Sequence, residues 1–179
     1  MVFLAASIAL PAVSAQERAK AANDEFTGHW FIGIQGGIGQ TVGETTFGNL
    51  ISPAASFNFG YQFTPVWGLR AGLSGWQAKG AAIGTSTHVY KYNYLQGSVD
   101  VLVDLCGIAG YNRSRAVNPY IFAGVGVNGA FNNDEAQALS PKLPEDNLLW
   151  DGSRVFPVGR FGVGMGVRLT DAVHFNIEL

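Results

Sequence analysis

His174, Asn176 and Glu178 alternate along the last stretch of the chain, so an extended backbone puts all three on one face. A histidine, an amide and a carboxylate at that spacing are the parts of acid/base or acyl-transfer chemistry. The same parity places Arg70, Asp100, Asp104, Arg160 and Arg168 on the polar faces of other extended segments, which with Glu178 makes three cations and three anions. Where such faces meet in a closed interior, an unpaired charge is costly, so mutual pairing is expected before catalysis. Arg70 and Asp104, at similar depth on neighbouring strands, are the expected pair. The expected site is a polar network of these residues, structural or gating, with no catalytic, cofactor-binding or metal role assigned.

Other motifs carry less. Gly124-Val125-Gly126-Val127-Asn128-Gly129 has the spacing of a dinucleotide loop, but that loop opens a helix and here strand alternation continues through it. The glycines at 33–39 and 162–166 are followed by no Gly-Lys-Ser/Thr. Cys106 is the single cysteine, which excludes an internal disulfide and a Cys-rich zinc site. His88 stands alone near Ser86, and the acids Asp134, Glu135, Glu145, Asp146 and Asp151 against Lys142 make an acidic, solvated loop.

The elements that must position the charged set are strands. In 51–63, Ile51, Phe57, Phe59, Tyr61 and Phe63 fall on one face, while Ser52, Ser56, Asn58, Gly60 and Gln62 fall on the other. In 154–169, Phe161, Val163, Met165, Val167 and Leu169 oppose Arg160, Gly162, Gly164, Gly166 and Arg168, a division that a helical period would mix. Five more segments obey the same rule, at about 30–41, 67–74, 90–105, 120–128 and 172–179. Connections alternate between tight ones, such as Thr64-Pro65-Val66 and Thr170-Asp171, and longer ones at 42–50, 80–88 and 132–153; the connection at 106–118 is long on the otherwise short side.

Composition tells which face meets what. Of 179 residues, 47% are apolar and 13% charged, about half the charged share of a soluble domain. The length allows one domain, and the net charge of −2 without a basic cluster offers nucleic acid no footprint. Residues 1–15 form an apolar run ending in Val13-Ser14-Ala15, which reads as a secretory leader cut after Ala15, with a flexible stretch over 16–28. No later stretch reaches the roughly 18 apolar residues of a membrane helix, so any crossing is by strands.

A soluble barrel carries Lys, Glu and Thr outside, but the polar faces here are mostly Gly, Ser, Asn and Gln, too small for a solvated surface. They suit the side-chain-filled interior of a small barrel whose apolar face meets lipid. Aromatics near the strand ends are then interfacial girdles: Trp30, Tyr61, Phe63, Trp67, Tyr120 and Phe175 at the rim of short turns, Trp76 and Phe131 at the other. The expected fold is all-β, an eight-stranded antiparallel up-and-down transmembrane barrel over 29–179. About seven strands fall within this sequence, and the last is expected to be missing because alternation stops at Leu179 without a further turn.

The segments Trp30-Phe31-Ile32-Gly33-Ile34-Gln35-Gly36-Gly37, Pro65-Val66-Trp67-Gly68-Leu69-Arg70-Ala71-Gly72 and Asn118-Pro119-Tyr120-Ile121-Phe122-Ala123-Gly124-Val125-Gly126 resemble the OmpA-type, porin-like outer-membrane barrels of Gram-negative bacteria, in their Bacteroides-like form. The resemblance runs from about 30 to 179 and concerns architecture. It implies a bacterial outer-membrane location with envelope lipid as partner, no cofactor, and peptidoglycan as a further partner where a periplasmic domain follows. The function it leads us to expect is an envelope-stabilising barrel that presents loops. A low-conductance porin is the alternative, and a lipid-modifying barrel enzyme the weakest reading.

Overall fold

In the computed structural model the described residues are 4–9, 26–40, 50–83, 87–112, 115–139, 152–170 and 172–179. They form β1 (Leu4–Ala9), β2 (His29–Gln40), β3 (Ile51–Gln62), β4 (Trp67–Ile83), β5 (Thr87–Asp104), α1 (Leu105–Ala109), β6 (Val117–Phe131), α2 (Asp134–Leu139), β7 (Arg154–Arg168) and β8 (His174–Glu178). The strands pair in sequence order and close into a barrel, with every neighbour antiparallel. An even, closed ring is what lipid demands, because an open edge leaves backbone N–H and C=O groups without partners.

The seven expected strands are β2 to β8. The eighth comes from the segment read as the core of a leader: Leu4–Ala9 lies between β2 and β8, the place the expected missing strand would take. Both roles ask for a short, uncharged run of small apolar residues, and in this chain Leu4–Ala9 pairs as a strand. The flexible stretch expected over 16–28 is held at its end, where Phe26 packs edge-on against the Tyr111 ring at 5.3 Å.

One connection is shorter than expected. β4 runs on to Ile83 and β5 starts at Thr87, so most of the predicted loop at 80–88 is strand, and the segments at 106–118 and 132–153 carry α1 and α2. The acids Glu145, Asp146 and Asp151 and Lys142 lie outside the described residues.

The barrel is apolar outside. Ile34 is 67% exposed, Val125 71% and Phe161 90%, whereas Arg70 is 4%, Asp100 0% and Glu178 3%. A surface inverted in this way is stable only where the surroundings are as apolar as the wall.

The interior is filled by rings seated over glycines. Phe31 pairs with Gly60, Tyr90 with Gly80, Phe122 with Gly162 and Tyr120 with Gly164. A Cβ on any of these four glycines would strike the ring of its partner. The cross-strand glycine therefore supplies the space that a lumen this narrow lacks.

Candidate functional site: an ion network across the lumen

The pairing of Ile83 with Thr87 marks the register of β4 against β5. Counting fifteen residues back and fifteen forward from position 85 gives 70 and 100, so Arg70 lies directly opposite Asp100. Arg70 Nε and Nη2 both donate to Asp100 Oδ2, at 3.2 and 2.9 Å. Nη1 reaches the other way, to Glu178 Oε1 at 2.5 Å. β4 and β8 are diametrically opposite in a ring of eight, so this contact crosses the barrel.

Two more strands complete the set. Tyr120 on β6 donates its hydroxyl to Glu178 Oε1 at 2.6 Å. Arg160 on β7 stands 3.7 Å from Asp100 Oδ2 and donates to Ser98 Oγ. The Phe122 ring lies near both guanidiniums, with its centroid 4.9 Å from Cζ of Arg70 and 5.8 Å from that of Arg160. Two cations and two carboxylates thus balance in a water-poor interior, with an aromatic quadrupole beside both cations.

Arg70, Asp100, Arg160 and Glu178 are the four expected residues that the structure brings together. Three differ. Asp104 is not the partner of Arg70: its carboxylate accepts from Gly107 N at 2.8 Å and caps α1, because the register gives Arg70 to Asp100. Arg168 and His174 face each other across β7 and β8 beside the turn, at the edge of the network.

Among the aromatics, Trp30, Phe63, Trp67 and Phe131 are exposed on the wall, and Tyr61 and Phe175 are half-buried. Tyr120 does not belong to the girdle, because its even position turns it inward onto Glu178. Trp76 is exposed as expected but by an unexpected route: its φ of 142° swings the indole out from an inward-facing position. Sequence reading also passed over the second layer. Gln35 accepts from Ser56 Oγ at 2.8 Å, and Ser56 Oγ accepts from Asn58 Nδ2 at 3.3 Å. The even parity of Tyr120, Phe122 and Ser98 was the available signal.

One end of the lumen differs from the other. The buried oxygens of Ser52, Ser74, Tyr94 and Asn128 have no hydrogen-bond partner among the described residues. All four lie between the Arg70–Asp100 row and the end carrying the long connections. Buried hydroxyls and amides without partners are suited to contact with water, and in the network below them Asp100 Oδ1 is likewise without a hydrogen-bond partner. Among the described residues no group of three or more His, Cys, Asp or Glu is placed to hold a metal ion, and no helix is long and apolar enough to cross a membrane.

Comparison with known proteins agrees with this architecture. The chain is 26% identical over 162 residues to outer membrane protein 40 of Porphyromonas gingivalis (strain ATCC BAA-308 / W83), an alignment covering 87% of this chain and 40% of that protein. No solved structure matches. Residues 4–179 match the outer membrane protein beta-barrel domain family. With its lipid-compatible wall and charged interior, this chain is a bacterial outer-membrane β-barrel and belongs to that family.

Proposed function

We propose that the barrel is a structural element of the envelope whose lumen is closed, with its long connections facing the exterior and available for contact. The Arg70–Glu178 contact carries this reading, because it joins opposite walls and leaves no polar face of either side chain exposed. A solute would have to break a charge-assisted hydrogen bond in a low-dielectric interior, where such bonds are strong. The refolded chain in a planar bilayer is therefore expected to show no steady openings, and Arg160→Ala no more than brief ones. Steady conductance from the unsubstituted barrel would overturn the closed reading.

The alternative, a narrow pore, draws support from the unpartnered oxygens of Ser52, Ser74, Tyr94 and Asn128. They give a half-channel from the exterior that needs only the network to swing aside. An enzyme reading has less support, since His174 faces the cation Arg168 across β7 and β8.

We also read residues 1–15 as the export signal. Intact-mass measurement on the outer-membrane form is expected to give an N-terminus at Gln16. Cleavage there removes β1, and another strand must then close the ring between β2 and β8. Retention of Leu4–Ala9 in the membrane form would instead make it a permanent stave.

A further inference from the structure

The outward face of the β4–β5 hairpin changes character within two rungs. Leu73 and Leu95 are 57% exposed and end the apolar band. Four residues beyond Leu73 and two beyond Leu95, Gln77 pairs with Asn93, and two further again Lys79 pairs with Lys91. At about 3.4 Å per residue along a strand tilted by about 40°, the lysines stand about 5 Å farther from the membrane centre than the amides and within the headgroup layer, which occupies roughly 5–8 Å of each leaflet.

Like charges directly opposite one another on a sheet repel. Neither lysine has a carboxylate at ion-pair distance among the described residues. Glu135 is near, but its Oε2 is bonded to the backbone N of Lys91 at 3.0 Å. The pair is a like-charged rung at the depth of lipid phosphates, with the Asp134 and Glu135 carboxylates in the adjoining cleft.

Beside the pair is a cleft of about 180 Å³ lined by Gln77, Lys91, Asn93, Asn132, Asp134 and Glu135. Its walls mix amide donors and acceptors with carboxylates, which suits hydroxyl-rich groups better than a bare phosphate. Asn93 Nδ2 also donates to the carbonyl of Trp76 at 3.2 Å, and the Trp76 indole is 59% exposed at this edge. A non-glycine φ of 142° is a strained conformation that costs about 1–3 kcal/mol and here delivers an aromatic surface to the interface.

We propose that this face binds the phosphorylated sugar headgroup of an outer-leaflet glycolipid. The phosphate sits between Lys79 and Lys91, the sugar hydroxyls lie in the amide cleft, and the acyl chains run down past Trp76, Leu73 and Leu95. The site rests on the outer-membrane location and is independent of whether the lumen conducts.

The test uses the full chain refolded in detergent micelles and titrated with a bisphosphorylated diglucosamine lipid, its dephosphorylated form, and phosphatidylglycerol, with bound lipid counted by native mass spectrometry. The bisphosphorylated glycolipid is expected to bind most tightly. Lys79→Gln with Lys91→Gln is expected to weaken it by about tenfold to thirtyfold, while Lys79→Arg with Lys91→Arg retains it. Heat-modifiable migration on gels confirms that each variant is folded. Gln77→Ala with Asn93→Ala is expected to remove the preference over phosphatidylglycerol. Equal binding of phosphatidylglycerol by the unsubstituted protein, full displacement by inorganic phosphate, or no loss in the double Gln variant would each overturn the proposal.

Discussion

Arg70→Ala is expected to lower the unfolding free energy of the barrel in lipid vesicles by about 3–5 kcal/mol, the largest loss for any single truncation in the lumen. The guanidinium bonds Asp100 on one side and Glu178 on the other, and both carboxylates are almost wholly buried. Removing it strands two anions that Arg160, at 3.7 Å from Asp100 alone, cannot neutralise. The companion experiment separates lost attraction from stranded charge. Arg70→Met combined with Asp100→Leu and Glu178→Leu is expected to recover most of the stability, because an apolar replacement of a whole buried ionic set is often neutral. Denaturant titration followed by tryptophan fluorescence reads both. Equal losses in the single and triple variants would mean that the network holds more than its own charges.

Phe161→Arg is the second large effect, and its size depends on what surrounds the wall. Phe161 is 90% exposed and sits beside the row of Arg160, near the middle of the apolar band. In a bilayer an arginine at that depth costs about 2–4 kcal/mol, falling to about 0–1 near the interface. Val155→Arg, on the same strand close to the long-connection end and 74% exposed, is therefore expected to be nearly silent. In water both substitutions replace exposed apolar groups, so both would be harmless. Unfolding midpoints of the two variants in vesicles check the gradient, and equal midpoints would contradict a lipid-facing wall.

Parity carried most of the fold, because strands that face lipid on one side and a filled lumen on the other must sort their residues strictly. Phe57 and Phe59 against Asn58 and Gly60 leave one orientation once the polar face is too small to be solvated. What parity could not supply was register. Arg70 finds Asp100 because Ile83 pairs with Thr87, and a predicted loop at 80–88 left that register undefined. Tyr120 was misplaced because nearness to a strand end was weighed above its even position. Trp76 needed a dihedral angle to leave the lumen, and no residue pattern reports one in advance. The closing strand escaped notice because a leader and a short lipid-facing strand ask for the same residues.

The Arg70–Glu178 contact also has a mechanical meaning. A ring of eight strands can flatten towards an ellipse at little cost in hydrogen bonds, since each ladder only hinges against the next. A bond from β4 to β8 spans the diameter, and any flattening must stretch or buckle it. It acts as a tie rod, holding the cross-section round against lateral pressure from the membrane, so that its stiffness, rather than its charge, is what the surrounding lipid feels.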